Sequence, residues 1–516
     1  MKNVLIKSFL LLSITCCCTA YSALTFEVKP SKGTIKLQKK NQQINNSADK
    51  NVMYLKSKNV NKDLKDIKNS NNKDEDKSKK QTDNNTILES DSIKLTISGQ
   101  AAVSAAGTTS KNTYYNGEKP CSSIKTDQKS KGKTKLDGDG VDLVAGEAEL
   151  DFDVKGKLNN GNEYGASIVI NAEKSDIDID KMYVYLKNEC YWGHVICGNL
   201  KGPDDKYVFS GQKLLEANFG VDGIINSHLE YATAVLKPRG PVGFSNKATK
   251  LVYYSPTFAG FQLGFSYTPD TRHVGHEGRN QGSTSLGKNQ LYEPEGTTSD
   301  KLYGLHNVAA GIKYDKDFGN GFKLKAGFVF VNERTQALET ECYTGDITEE
   351  SKPETKTIQL NNANDWIASL SVTYKKLTLA FGYYRAGKSR LPKLDEYENN
   401  RMFPTFMVDK DGDSGHAWNI GVKYELTDNW SVTAVFHDAS RKTTADEKAT
   451  AKVLTLATDY KINKNFKVFA EIDVSDSKSS PYACSIYNLL KKEDKNKTAI
   501  IQNKSLLFST GIELKF

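Results

Sequence analysis

The sequence predicts an all-β protein: a transmembrane antiparallel β-barrel of 16 strands, preceded by a disordered N-terminal tail. Three observations predict it. From residue 93 onward, apolar residues recur with period two. The segments that carry this period are joined alternately by short turns and long loops. No apolar run of about 20 residues occurs after the first 25, which excludes a helical span but not barrel strands, since those need only one apolar face. A mean hydropathy of -0.56, with 25 Tyr and 21 Phe against 12 Pro and 5 Met, suits such a barrel.

The first 22 residues read as a secretory signal. Lys2 and Lys7 supply the positive start, Ser8 to Ile14 the apolar stretch, and Ala20-Tyr21-Ser22 the small residues before cleavage. Cys16-Cys17-Cys18 raises a lipoprotein reading, but the residues before each cysteine match an acylation box poorly. Residues 23–92 form a Lys/Asn-rich tail. The stretch from Asn69 to Asn85 is almost wholly polar, and such a segment cannot bury enough apolar surface to offset the entropy of ordering. Looser helical spacing from Val52 to Ile67 allows a short helix there.

Residues 93–516 carry the barrel pattern. Ala148, Leu150, Phe152 and Val154 alternate with Glu147, Glu149, Asp151, Asp153 and Lys155. One face of that segment is apolar and the other charged, as a strand between lipid and water requires. Phe261 to Tyr267, Val308 to Tyr314, Phe322 to Phe330, Trp366 to Tyr374, Trp418 to Tyr424 and Phe466 to Val474 repeat the pattern. Sixteen segments result: 93–105, 141–157, 163–173, 178–189, 193–199, 247–256, 260–270, 305–316, 321–332, 365–375, 377–386, 415–425, 429–439, 449–461, 465–476 and 499–516. From the second segment on, every second connection is a turn of a few residues. Most of the others are long: 106–140, 200–246, 271–304, 333–364, 387–414, 440–448 and 477–498, with 174–177 the exception. Short turns on one side and long loops on the other mark a bacterial outer-membrane barrel, with the short side periplasmic. Tyr314, Tyr374, Tyr424, Trp430 and Tyr460 lie beside the short turns, where a lipid interface falls. Segment 178–199 is apolar on both faces, which suggests an oligomer interface.

Charge and cysteines narrow the function. Of the net +8, the two lysines of the signal and an excess of 15 Lys over 10 Asp+Glu between Leu24 and Ser92 account for seven. The barrel region is close to neutral, so the basic balance gives no argument for nucleic acid. Five cysteines follow the signal: Cys121, Cys190, Cys197, Cys342 and Cys484. Their number is odd and none form a CxxC pair, so neither a zinc site nor any other metal or cofactor is expected. Cys190 and Cys197 are spaced to bridge a tight turn or simply to fill a strand. Among the histidines, His306, His416 and His437 fall at strand ends and His228 and His273 in loops. None has a recognisable spacing to a serine, so no catalytic residues are expected.

Three stretches resemble the trimeric general-diffusion porins of Gram-negative bacteria, especially the alphaproteobacterial and neisserial type. Met182-Tyr-Val-Tyr-Leu186, with Trp192-Gly193 and Gly198-Asn199 leading to Gly202-Pro203-Asp204, looks like that family's strand pair before its third loop. Lys250 to Pro256 followed by Phe258 to Pro269 is similar to its next hairpin. The ending Gly511-Ile-Glu-Leu-Lys-Phe516 looks like the signal read by the barrel-assembly machinery. The long polar tail departs from the family, whose first strand usually begins near the mature N-terminus.

The resemblance implies an outer-membrane homotrimer among lipid and lipopolysaccharide, with a water-filled channel for small hydrophilic solutes and ions. It makes 200–246 a constriction loop folded into the lumen. Asp204, Asp205, Glu216, Asp222, Glu230, Lys237 and Arg239 are then the constriction candidates, their acidic members facing basic residues across the pore. Lys94, Lys155 and Lys250 lie opposite the apolar phase of their own strands and are expected on the pore wall. Opposed charges of this kind orient polar solutes. Two rival functions stand beside passive diffusion. One is an anion- or phosphate-selective channel, which needs a ladder of inward basic residues. The other is a surface adhesin, or a peptidoglycan tether acting through the periplasmic tail.

Overall fold

The structure is a computed structural model that describes residues 86–89, 93–114, 140–171, 178–215, 245, 247–271, 304–342, 354–400, 408–480 and 500–516. The signal at 1–22 and nearly all of the tail at 23–92 lie outside them. The chain divides into two units, Met1–Thr82 and Asp83–Phe516; the second is described below.

Nineteen strands are described. They are β1 (Thr86–Glu89), β2 (Ile93–Tyr114), β3 (Gly140–Lys157), β4 (Glu163–Asn171), β5 (Asp178–Asn188), β6 (Gly193–Asn199) and β7 (Thr249–Tyr254). Next come β8 (Phe261–Asp270), β9 (Gly304–Asp317), β10 (Phe322–Thr335), β11 (Leu338–Cys342), β12 (Glu354–Ile358), β13 (Ala363–Tyr374) and β14 (Leu377–Gly387). The last are β15 (Gly415–Glu425), β16 (Trp430–Lys442), β17 (Lys448–Lys461), β18 (Phe466–Lys478) and β19 (Ile500–Lys515). Sixteen of them, β2–β10 and β13–β19, form a closed antiparallel barrel in which each strand pairs with the next. Closure is made by β19 on β2, in register from Lys515–Gln100 to Asn503–Asn112 and on to Ile500–Tyr114. Phe516 exchanges two backbone hydrogen bonds with Gly99, each 3.0 Å, at the foot of that seam.

Period two sorts the side chains. On β8 the odd residues Phe261, Leu263 and Phe265 are exposed and face outward, while Gly264, Ser266 and Thr268 are buried on the inner side. Two aromatic rows mark the limits of the apolar band. Phe322, Tyr374, Leu377 and Tyr424 are cross-strand neighbours near the short turns, and Phe330 and Trp366 are paired eight residues further up their strands. Eight residues span about 27 Å along a strand, or about 20 Å of height at a tilt of about 40°, which matches an apolar band of about 25 Å. Tyr374, Tyr424, Trp430 and Tyr460 all lie exposed on the outer face at the turn end, where the sequence placed them.

All sixteen expected segments are strands, and four details differ. The first strand runs nine residues past Ala105, because the ladder with β19 continues above the lipid, where apolar alternation is no longer required. The connection at 440–448 is only the short turn between Lys442 and Lys448. The long connection 333–364 holds the separate hairpin β11–β12. The boundary at 92/93 also moves. Thr86–Glu89 inside the expected tail pairs with Lys94–Thr96 of β2, so the chain joins the sheet earlier than its polar composition suggests.

β5 is explained by its inner neighbours. Met182, Val184 and Leu186 pair with outward residues of β4, whereas Tyr183 and Tyr185 point inward and pack on the buried cluster of Ile196, Tyr207, Val252 and Tyr254. Its second apolar face is therefore occupied inside the barrel. Cys190 and Cys197 are free and exposed, one in the turn and one on the strand, so they do not bridge; Cys342 is free and buried.

At the long-loop end a second core forms from Leu338, Cys342, Ile358, Leu360, Leu391 and Val408, with Tyr397 of the short helix Leu394–Asn399 against it. Arg390 pins this layer to the barrel wall. Its Nε donates to Glu333 at 3.3 Å and its Nη1 to Asp365 at 2.8 Å, with all three side chains almost fully buried. Removing the guanidinium strands two carboxylates in a dry site, a loss of about 3–5 kcal/mol. Arg390→Met is expected to lower the temperature at which the compact, fast-migrating form on a gel converts to the unfolded one. It should also speed proteolysis at the 336–362 hairpin. Adding Glu333→Gln and Asp365→Asn to the same chain should recover most of the loss.

Candidate functional site

The connection after β6 turns into the barrel. Pro203–Lys206 forms one helical turn, α1, and Gly211–Leu214 a 3-10 turn, η1. The proline at the start of α1 presets its backbone angle and needs no N–H partner there. Between the two turns the backbone lies flat on the inner wall. Phe209 N–H donates to Ser369 Oγ at 2.9 Å, and Gly211 N–H donates to Asn419 Oδ1 at 2.8 Å. Tyr207 is fully buried, and its hydroxyl donates to Gln262 at 3.2 Å. Glycines on the inward phase of β8, β9, β10 and β15 make this contact close. A Cβ on Gly327 would fall 1.8 Å from the Tyr207 carbonyl oxygen, and one on Gly264 would fall 2.7 Å from the Tyr207 ring. Gly421 and Gly211 touch backbone to backbone.

The ten residues named from sequence scatter. Asp204 points into the wall and is 1% exposed. Asp205 accepts from Lys213 at 2.8 Å and lies 3.8 Å from Lys201. Burial alone would raise its carboxyl, but those lysines outweigh burial and hold it below the usual range. Lys250 does point inward, yet it is covered by the loop: 1% exposed, it donates to Ser245 Oγ at 2.6 Å. It supports the loop and does not meet lumen water. Lys94 and Lys155 are direct cross-strand neighbours on the inward phase. They sit at the foot of β2 and β3, near the short turns and away from α1. Glu216, Asp222, Glu230, Lys237 and Arg239 lie outside the described residues.

Other residues carry the charge pattern. On β3, Glu149, Asp151 and Asp153 share the inward phase, opposite Gln100, Ser98 and Thr96 of β2. Asp459, Glu471, Asp473 and Glu513 continue this acidic wall on β17, β18 and β19, with Lys467 paired to Glu513 at 2.9 Å. Eight strands away around the barrel the inward charges are mainly lysines: Lys313 on β9, Lys323 and Lys325 on β10, and Lys206 at the end of α1. Burial lowers the Lys206 ammonium from its ordinary value, and Lys313 and then Lys187 lower it further. Among the described residues, the basic arc therefore adjoins the loop and the acidic arc faces it, the reverse of the expected sense. The signal for this was the polar phase of the apolar strands, where Lys313 follows Ala309 and Gly311, Asp153 follows Glu149 and Asp151, and Glu471 precedes Asp473.

A family model described as Gram-negative porin matches residues 82–480. An uncharacterized protein of Rickettsia bellii is 22% identical over 247 residues, which is 45% of this chain and 51% of that one. The chain thus spans about half the length of the curated relative it matches. Among solved structures, an anion-selective porin from Comamonas acidovorans is 12% identical, with a TM-score of 0.48 over 82% of this chain and 100% of its own. In-vitro folded OmpT, an outer membrane protein of Vibrio cholerae, gives 12% and 0.48 over 83% and 99%. Salmonella typhi OmpF in complex with Daunomycin gives 13% and 0.44 over 83% and 99%.

The inward glycines make the loop position testable. Gly327→Val inserts a side chain where the Tyr207 carbonyl now sits, so the loop must move off the wall toward the lumen. The variant is expected to fold and to keep its heat-modifiable gel migration. Its single-channel conductance should be lower than that of the parent. An unchanged conductance would show that the stretch 200–215 does not border the conducting path.

Proposed function

The chain belongs to the Gram-negative porin family, and we propose that it forms a water-filled channel for passive diffusion of small hydrophilic solutes and ions across the bacterial outer membrane. One observation carries the reading. A closed barrel of sixteen strands has a stretch of its own chain laid along the inner wall. A barrel of this size encloses more space than its inward side chains fill. A stretch held flat against one wall narrows the lumen without plugging it.

The segregated charge favours a pore with weak overall ion preference. The partly exposed carboxylates Glu149, Asp151 and Asp153 of β3 lie across from a lysine arc beside the loop, so a passing solute meets both signs at once. A strongly anion-selective pore is less well supported, because acidic residues line the side across from the lysines. The constriction roles of Glu216, Asp222, Glu230, Lys237 and Arg239 remain part of this proposal. So do the homotrimer, the contacts with lipid, lipopolysaccharide and assembly machinery, and the tether through the tail. For the trimer, support comes from the outward face of β5–β7, where Val184, Leu186, Leu251 and Tyr253 are exposed and apolar on short strands. Catalysis has no place in this reading.

Planar-bilayer recording of the purified protein in KCl tests it. Stepwise openings in groups of three are expected, with a small reversal potential in a salt gradient. Absence of conductance from protein that still shows heat-modifiable migration would refute the channel.

A further inference from the structure

Two lysines in the lumen stand over one pair of tyrosines. Tyr207, on the loop, and Tyr254, at the end of β7, have ring centroids 5.6 Å apart. Lys206 Nζ lies 4.2 Å from the Tyr254 centroid, and Lys313 Nζ lies 5.6 Å from that of Tyr207. Both rings are almost completely buried, and Tyr207 is further fixed by its hydroxyl on Gln262, so the platform under the two ammonium groups is rigid. Two ring faces hold the cations in place, yet they neutralise no charge.

The neighbouring lysines are treated differently. Lys201 and Lys213 share Asp205, Lys325 has Asp315 at 3.8 Å, and Lys187 has Glu189 at 2.9 Å. Among the described residues, no carboxylate lies within ion-pair distance of Lys206 or Lys313. The two repel each other: Lys313 is the strongest charged influence depressing the Lys206 ammonium, after burial. Like charges held together cost stability, and that cost is relieved when an anion bridges them.

We propose that Lys206 and Lys313 form a docking site for small solutes bearing a phosphomonoester or similar dianion. This rests on reading the barrel as a channel, and it adds a solute class to that reading. The dianion meets both ammonium groups at the base of the loop. The acidic strand across the lumen, carrying Glu149, Asp151 and Asp153, repels the same group and keeps it on the loop side. A neutral sugar of the same size gains neither effect.

Equilibrium dialysis of the detergent-solubilised full chain against radiolabelled glucose 6-phosphate tests the site without needing a current. Binding is expected in the parent protein, and no binding of glucose. The double variant Lys206→Gln/Lys313→Gln should bind about tenfold more weakly or worse. Lys206→Arg/Lys313→Arg, which keeps both charges, should retain most of the affinity. Lys452→Gln, on the outer face, should change nothing. In bilayers, millimolar glucose 6-phosphate should interrupt the parent's KCl current but not that of the glutamine variant, whose heat-modifiable migration reports its fold. Equal affinity of the parent and the glutamine variant, or equal binding of glucose, overturns the site. Current without binding refutes the site and leaves the channel. Binding without current refutes the channel and leaves the site.

Discussion

Everything in this molecule depends on the pairing of β19 with β2. In hydrocarbon an unpaired backbone N–H or C=O costs several kcal/mol, so a sheet can cross only if it has no edge. The two strands most distant in sequence must meet in one register, and they do so along a ladder that ends at Ile500–Tyr114 on one side and Phe516–Gly99 on the other. Small residues line part of the seam: Ala101, Ala105, Ala106 and Gly107 on β2 lie opposite Leu514, Thr510, Ser509 and Phe508 on β19. Once the seam is closed, the alternation along every strand has only one meaning, lipid outside and water or loop inside.

The inside is built by leaving room on one wall. Gly264 and Gly311 are cross-strand partners, and Gly327 lies on the next strand. Together they form a shallow trough in which the backbone around Tyr207 lies. Glycine in a strand weakens it and is kept where another backbone approaches closely. Here the loss is offset by the hydrogen bonds that Phe209 N–H and Gly211 N–H donate to Ser369 and Asn419 and by the burial of Tyr207, Val208 and Leu200. The same burial explains why β5 is apolar on both faces and why Lys250 is covered. From sequence the first suggested an oligomer interface and the second a pore-wall lysine, and both belong to the seat of one loop.

The barrel was legible in the sequence because lipid imposes a strict period of two, and sixteen segments repeat it. The ends of strands were less legible. Thr108–Tyr114 and Thr86–Glu89 pair outside the apolar band, where nothing in their composition separates strand from loop. The site was legible only in part. The sequence located the loop and the inward phase of Lys94, Lys155 and Lys250. It did not show that Asp204 and Lys250 would be covered, since coverage depends on where the loop lands. That landing is written in Gly264, Gly311, Gly327 and Gly421, four residues that look unremarkable strand by strand and acquire meaning only when neighbouring strands are in register.

Charge placement follows from the same geometry. The loop lies over β8 to β15, and carboxylates of this arc have basic partners: at the foot of β9, Asp315 and Asp317 take Lys325 and Lys323. Glu333 and Asp365 need Arg390, Asp205 takes Lys201 and Lys213, and Asp204 is turned into the wall. Lysines tolerate this surface better, because a long apolar stem can lie along the wall while the ammonium reaches water or a ring face. Lys206, Lys313 and Lys325 do this over Tyr254, Tyr207 and Phe209. On the opposite arc, from β17 round to β3, Glu513 takes Lys467 and Asp473 accepts from Thr455, both carboxylates almost fully buried, while Glu149, Asp151 and Asp153 on β3 stay partly exposed. The transverse polarity of the lumen thus lies between long cations held on ring faces beside the loop and the short carboxylates of β3 across from it.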